Sequence, residues 1–211
     1  LPSWAFGTSG TRFKVFSTAG TPRTVQEKLA DAAKVNELTG LAPTVALHIP
    51  WDKVEDYAAL RSHAEELGVT LGTINSNTFQ DDIYKFGSLT HVDDAVRQKA
   101  IDHHLECIEI MGLTGSQDLK IWLADGTNYP GQGDIRGRQD RLADSLSQIY
   151  AQLADERAIV LLERASVAPT ALESVKLKLS RLSTVVSSRI STRTTLLVSP
   201  GANTSVPLRP S

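Results

Sequence analysis

Apolar positions along the chain follow two alternating patterns. Short aliphatic or aromatic runs at 4–6, 44–49, 70–75, 119–123 and 158–163 have the length and composition of strands. Between them, apolar residues recur at helical spacing over 25–38, 54–67, 93–111 and 140–153. Strands that alternate with helices predict crossover units and a parallel sheet. The helix starts carry capping signals: Thr24 with Glu27, Asp52 with Glu55, and Thr90 with Asp93 each place an acceptor before a helix and an acid three residues on. Gly40, Gly68 and Gly112 stand where helices should end.

Five parallel strands fit either an open doubly wound sheet or part of a barrel, and the residues after each strand favour the barrel. The turn Gly7-Thr8-Ser9-Gly10 lacks the G-x-G-x-x-G spacing of a dinucleotide cradle and has no immediate helix. Polar and aromatic residues instead gather at every strand end: Trp4; His48, Trp51 and Asp52; Asn75, Asn77 and Phe79; Trp122, Asp125 and Asn128; Glu163. In a TIM barrel these positions share one mouth. The expected fold class is therefore α/β, an incomplete (β/α)₈ TIM barrel of about five βα units over residues 1–163, with an irregular C-terminal tail.

The tail, residues 164–211, changes character. It holds seven Lys or Arg against the single acid Glu173, and 16 of its 48 residues are Ser or Thr, a composition too poor in bulk to build further barrel units. It is expected not to be native barrel sequence, as out-of-frame translation would give. One helix is expected around 171–182, where Leu172, Val175, Leu179 and Leu182 recur at helical spacing.

Composition narrows the partners. With 22 basic and 24 acidic residues the chain offers no electrostatic footprint for nucleic acid or an anionic membrane. No apolar stretch is long enough to span a bilayer. Cys107 is the sole cysteine, in the apolar row Leu105, Ile108, Ile110, which makes it a buried hydrophobe and the cytoplasm the expected compartment.

Among residues able to carry chemistry, His48 ends an apolar strand and is followed by Pro50, Trp51 and Asp52. A titratable imidazole beside an indole at a barrel mouth suits proton movement on a sugar hydroxyl; the plainer alternative is a histidine that caps the core. Trp4, Trp51 and Trp122 are either core aromatics or the apolar walls that sugar C–H faces require. The loop from Asn75 to Thr90 is longer than a simple connection needs, and its asparagines either line the mouth or form self-bonded turns. Asp125 and Asn128 carry the same ambiguity. Glu163 is the carboxylate placed to ligate a hard cation such as Mg²⁺ or Mn²⁺. His103 and His104, adjacent on a helix, lack the spacing for a shared metal and read as surface or packing residues; His63 and His91 receive no ligand role.

Long motifs in register carry a resemblance. Pro2-Ser3-Trp4-Ala5, Thr11-Arg12-Phe13, Leu47-His48-Ile49-Pro50-Trp51-Asp52-Lys53, Asn75-Ser76-Asn77-Thr78-Phe79-Gln80-Asp81 and Tyr84-Lys85-Phe86-Gly87-Ser88-Leu89-Thr90-His91 resemble the L-rhamnose isomerases of the pseudomonad type. So do Leu105-Glu106-Cys107-Ile108-Glu109-Ile110 and Trp122 with Asp125-Gly126 and Asn128-Tyr129-Pro130-Gly131-Gln132. The resemblance implies a (β/α)₈ barrel of the xylose isomerase-like kind, usually a homo-tetramer, with two divalent ions: Mn²⁺ first, Mg²⁺ or Co²⁺ as alternatives. It implies interconversion of aldoses and ketoses with broad sugar tolerance.

By resemblance, His48 is the histidine beside the sugar ring oxygen, implicated in ring opening. Trp4, Phe13, Trp51, Phe79 and Trp122 shape the sugar pocket, and Glu163 matches the first metal-ligating glutamate. The family continues Glu-His-Lys with a catalytic lysine, whereas here Glu163 is followed by Arg164, Ala165 and Ser166, and the later Asp and His ligands have no counterpart. The expected function is a metal-dependent aldose–ketose isomerase of the L-rhamnose to L-rhamnulose type, inactive as this chain alone. The alternatives are a non-catalytic sugar-binding half-barrel, or another enzyme on the same barrel such as an epimerase or endonuclease.

Overall fold

The computed structural model describes residues 1–7, 16, 18–125 and 133–153, and the backbone alone of 159–164. Phe13, Asn128 and residues 165–211, with the helix expected at 171–182, lie outside the described residues. Four strands, β1 (Thr44–Ile49), β2 (Thr70–Ser76), β3 (Asp118–Leu123) and β4 (Ile159–Arg164), form one sheet in that order. Every pairing is parallel. Four helices, α1 (Val25–Thr39), α2 (Tyr57–Glu66), α3 (Asp94–Thr114) and α4 (Ile135–Ala151), alternate with the strands. This is the α/β, partial-barrel architecture expected from the alternation of patterns.

One face of the sheet is aliphatic and packs under the helices, while the other carries polar and aromatic residues, His48, Asn75, Lys120 and Trp122 among them. Val45, Leu47, Ile49, Ile74, Leu119 and Ile121 are fully buried, with Leu29 of α1 and Ile149 of α4 packed in the same core. Burying each such side chain contributes about 1.5–3 kcal/mol.

Local chemistry sets the helix ends, and several differ from expectation. Thr24 and Glu27 form the predicted capping box, and Gly40 closes α1 at φ 66°, a left-handed conformation that glycine adopts without a Cβ penalty. The helix expected from residue 54 starts at Tyr57, with Asp56 accepting from the Ala59 N–H at 2.8 Å. Asp52 is not its cap, because its carboxylate is buried and held by other donors. Likewise Asp93 rather than Thr90 caps α3, accepting from the Ala95 N–H at 2.9 Å. That helix runs through Gly112 to a left-handed Gly115, its last turn tied by the Thr114 hydroxyl donating to the Ile110 carbonyl at 2.8 Å. α4 begins before residue 140 because Asp134 caps it through the Gly137 N–H.

The expected strand at 4–6 is instead one 3₁₀ turn, Ser3–Ala5. Its N–H groups are satisfied locally, Ala5 donating to Pro2 O at 3.0 Å and Phe6 to Ser3 O at 3.1 Å, and so do not enter a ladder. The strand-like contact comes two residues earlier. Pro2 bridges Ala46 in parallel, and the Ala46 N–H donates to Leu1 O at 2.7 Å. The N-terminal turn is thereby fixed along the free edge of β1, with Trp4 at the sheet's C-terminal end.

Candidate functional site

The register brings the strand ends level. His48 pairs with Asn75, Ile49 with Ser76, Ser76 with Ile121, and Trp122 with Glu163. His48 and Asn75, as register partners, share one face of the sheet, and Ser76 turns to the other.

On the first face lies an aromatic box. The His48 imidazole meets Trp4 edge-on with ring centroids 5.0 Å apart and interplanar angle 72°, Trp51 at 4.1 Å, and Phe79 at 6.1 Å. Phe79 in turn meets Trp51 at 6.4 Å and Trp122 edge-on at 4.6 Å. Five of the residues singled out from sequence therefore converge: His48 and Trp51 from the end of β1, Phe79 from the loop after β2, Trp122 from β3, and Trp4 from the N-terminal turn. The four aromatic walls are half-buried, so part of each residue reaches solvent. Glu163 stands level with Trp122 by backbone register, at the C-terminal end of β4.

His48 is 7% exposed, and neither ring nitrogen has a hydrogen-bond partner among the described residues. Burial pushes its pKa down to about 4, against the opposing pull of the nearby Asp52 carboxylate. The Ser76 backbone lies near enough to favour the charged ring without meeting hydrogen-bond geometry. At neutral pH the ring is uncharged, with one N–H donor and one bare acceptor nitrogen. Unpaired buried polar atoms are costly, and their occurrence in a half-buried aromatic box marks a place where a ligand's hydroxyls would supply the missing bonds.

The other polar residues at the mouth resolve into supports. Asn75 donates from Nδ2 to the Leu47 carbonyl at 2.9 Å, tying β2 to β1. Asn77 accepts from the Phe79 and Gln80 N–H groups at 3.4 and 3.3 Å, the self-bonded turn, and so sets the direction of Phe79. Gln80 Oε1 accepts from Trp51 Nε1 at 3.1 Å, fixing that indole. Asp125 accepts from the Ser88 and Thr90 N–H groups at 2.7 and 3.0 Å and from both hydroxyls at 2.8 and 2.9 Å. It anchors the long loop. Gly87, at φ 121°, completes that anchor, because a Cβ there would sit 3.0 Å from Thr90 Oγ1 in a backbone conformation side chains rarely adopt.

A buried cluster joins Asp52, expected as a helix cap, to Lys28 and Ser3, which had no expected role. Asp52, 1% exposed, accepts from Ser3 Oγ, from the His48 N–H at 2.8 Å and from Lys28 Nζ at 2.7 Å. Lys28 is itself 2% exposed. A sequence signal for it exists: Lys28 falls on the buried stripe Val25, Leu29, Ala32 of α1, where a cation requires a partner. Ser3 offered no such signal.

The described residues do not assemble a cation site. No group of three His, Cys, Asp or Glu able to hold a metal ion occurs among them. The Asp52 and Asp125 carboxylates already accept from protein donors. The adjacent pair on α3 is likewise engaged. His104 bonds to Ser76 Oγ at 2.9 Å and the Ala100 carbonyl at 2.6 Å. His103 accepts from the Asn77 N–H at 3.2 Å and meets Glu106 at 3.3 Å, while Lys53 pairs with Glu106. Cys107 is buried, and burial pushes its thiol pKa up, so it is no nucleophile.

Fold comparison supports the partial-barrel architecture. It superposes on L-ribulose 3-epimerase with a TM-score of 0.54 at 15% identity, over 77% of this chain and 48% of that one. D-Allulose 3-epimerase from Methylomonas sp. gives 0.53 at 15%, over 76% and 49%. At that identity the likeness concerns the fold.

Sequence comparison is more specific. The chain is 47% identical over 161 residues to a probable sugar isomerase of Rhizobium meliloti, covering 74% of this chain and 37% of that protein. It is 45% identical over 158 residues to a probable sugar isomerase of Mesorhizobium japonicum, covering 72% and 36%. The matched region thus spans little more than a third of these relatives. No protein-family model matches the chain. Among the described residues no helix is long and apolar enough to cross a membrane.

Proposed function

We propose that residues 1–163 form the sugar-facing front of an aldose–ketose isomerase of the L-rhamnose type. The observation that carries this reading is the His48 imidazole, buried, without a hydrogen-bond partner among the described residues, and walled by Trp4, Trp51 and Phe79 at the C-terminal end of the sheet. The names of the two relatives support the class of reaction.

Sugars present apolar C–H faces and a rim of hydroxyls, which an aromatic box with one donor–acceptor ring matches. Opening of a cyclic aldose breaks the bond between C1 and the ring oxygen while the C1 hydroxyl loses its proton and the ring oxygen gains one. A neutral imidazole beside the ring can give a proton from its N–H or take one at its bare nitrogen. In this reading His48 handles one of those protons. Trp4, Trp51, Phe79 and Trp122 hold the sugar face, and the motif match assigns Phe13 the same role.

The resemblance implies a divalent cation, Mn²⁺ first, which when bound would supply polarisation of the sugar's carbonyl and hydroxyl oxygens. Glu163 is our candidate first ligand by motif. Since the described side chains do not fit a cation shell, no step is assigned through the metal. The occupied Asp52 and Asp125 carboxylates favour a second reading, sugar binding without turnover.

The test is a tryptophan-fluorescence titration with L-rhamnose and L-rhamnulose, run beside a ketose-formation assay with and without Mn²⁺. Saturable quenching with either sugar is expected, and no turnover. A folded protein that responds to neither sugar overturns the sugar-binding reading; Mn²⁺-dependent ketose formation overturns the expectation of binding alone.

A further inference from the structure

The walls of the aromatic box come from separate parts of the chain, and one buried carboxylate, Asp52, binds the Ser3 hydroxyl beside Trp4, the main chain of His48 and the Lys28 ammonium. Ser3 precedes Trp4, and its hydroxyl donates to Asp52 Oδ2. The His48 N–H donates to the same oxygen at 2.8 Å, and the Asp52 N–H returns a bond to the His48 carbonyl at 2.8 Å. Trp51 is the residue next to Asp52. On the other side Oδ1 takes Lys28 Nζ at 2.7 Å, which ties α1 to the same point. Gly7 lies against the stem of that lysine, where a Cβ would come within 2.9 Å of Cε.

A buried ion pair rarely adds net stability over apolar residues of the same shape, because desolvating both charges offsets their attraction. What this pair does have is geometry: three donors from three segments converge on one carboxylate. We propose that Asp52 is the positioning residue of the box, holding Trp4 and Trp51 at fixed pitch against the His48 ring and so setting the surface offered to a sugar. The proposal rests on the reading that this box holds a sugar. Asp52 does not touch the ring nitrogens and is not a catalytic residue. It acts through Ser3 and through the main chain of His48.

Two variants test it. Ser3→Ala cuts only the arm to Trp4 and leaves both charges paired. Asp52→Leu with Lys28→Met removes the shared acceptor of both bonds and its counter-ion together, so that no lone charge stays buried. NMR cross-peaks between the Trp4, His48 and Trp51 rings are read in the sugar-free protein, and L-rhamnose affinity by tryptophan fluorescence. Ser3→Ala should lose the Trp4–His48 cross-peaks, keep those of His48 with Trp51, and weaken L-rhamnose about three-fold. The double variant should lose both sets and weaken the sugar about ten-fold or more. Folded Ser3→Ala with unchanged Trp4–His48 cross-peaks overturns the proposal, even where the double variant does not fold. Wild-type protein that keeps its cross-peaks yet ignores L-rhamnose leaves the positioning role standing and sinks the sugar reading instead.

Discussion

His48 stands on one face of the sheet and His104 of α3 packs against the other, and the two differ in their hydrogen bonding. Both are buried, and burial pushes both down to about 4. His104, 0% exposed, has each nitrogen satisfied: Nδ1–H donates to the Ala100 carbonyl and Nε2 accepts from the Ser76 hydroxyl. His48 has neither. A lowered pKa therefore does not mark the site, since desolvation acts alike on both. Missing partners beside a half-buried aromatic wall do, because a packed core would have supplied them.

Substitution should separate the pair most sharply. His104→Ala leaves a cavity between α3 and β2 and takes from the Ser76 hydroxyl its nearer partner, so urea unfolding should show a loss of about 2–5 kcal/mol, with sugar affinity unchanged. His48→Phe removes two unpaired polar atoms and keeps the ring volume, so stability should stay within about 1 kcal/mol of wild type while L-rhamnose affinity falls about ten-fold. If instead His48→Phe were the destabilising change and left sugar binding intact, His48 would be core and the comparison would collapse.

Sequence patterns foretold one of these faces better than the other, for a physical reason. Strand 44–49 was readable to the residue because Pro50 stops the ladder directly after it, and the same break put His48 and Trp51 at a strand end. The Thr24–Glu27 box was readable because capping is local. Asp52 was misread as a cap because Asp-x-x-Glu spacing looks the same whether the acid faces water or the interior. Its partners Lys28 and Ser3 lie 24 and 49 residues away, beyond any local pattern. Trp4–Phe6 misled in a different way, since three apolar residues satisfy a strand pattern while a 3₁₀ turn meets their backbone needs without neighbours. Asp125 showed as a polar residue after a strand, but which loop it would anchor depended on the fold.

Asp125 extends the comparison to carboxylates, as a fully satisfied group next to the box. Asp125→Ala strands the donors of Ser88 and Thr90 together, and a loss of about 2 kcal/mol is expected. Amide exchange at Ser88 and Thr90 should accelerate ahead of the β1–β3 core. Unchanged protection there would show that Ser145 and Arg141, which donate to the Leu89 and Thr90 carbonyls, hold the loop alone.

The two histidines also set an acid limit whose sign is fixed. Each has an unfolded value near 6.5 and a folded value near 4, so below 6.5 the unfolded chain binds protons that the fold refuses. Stability is full above that point, declines as pH falls toward 4, and levels off with respect to these groups below it. Each histidine contributes a slope of at most about 1.4 kcal/mol per pH unit. His48→Phe should remove one proton's worth of that slope between pH 6.5 and 4 and leave the share of His104. Identical slopes in wild type and variant would mean that His48 takes up its proton alike in the folded and unfolded chain, and burial would not be what keeps the ring neutral.

The smallest effect concerns the wall beside His48. Trp51 Nε1 donates to Gln80 Oε1, and Gln80 also accepts from Asn77 Nδ2 at 3.2 Å, so the loop after β2 orients an indole that belongs to the loop after β1. Gln80 is exposed, so its hydrogen bond competes with water and contributes about 0.5–1 kcal/mol. Gln80→Leu should therefore shift the Trp51 emission and weaken L-rhamnose about two- to five-fold, with no measurable change in unfolding. His104→Ala is the counterpart: large in stability and silent in binding. A variant of Gln80 silent in both would leave the orientation of Trp51 to its packing against His48 and Phe79, and the box would be set by ring contacts and Asp52 alone.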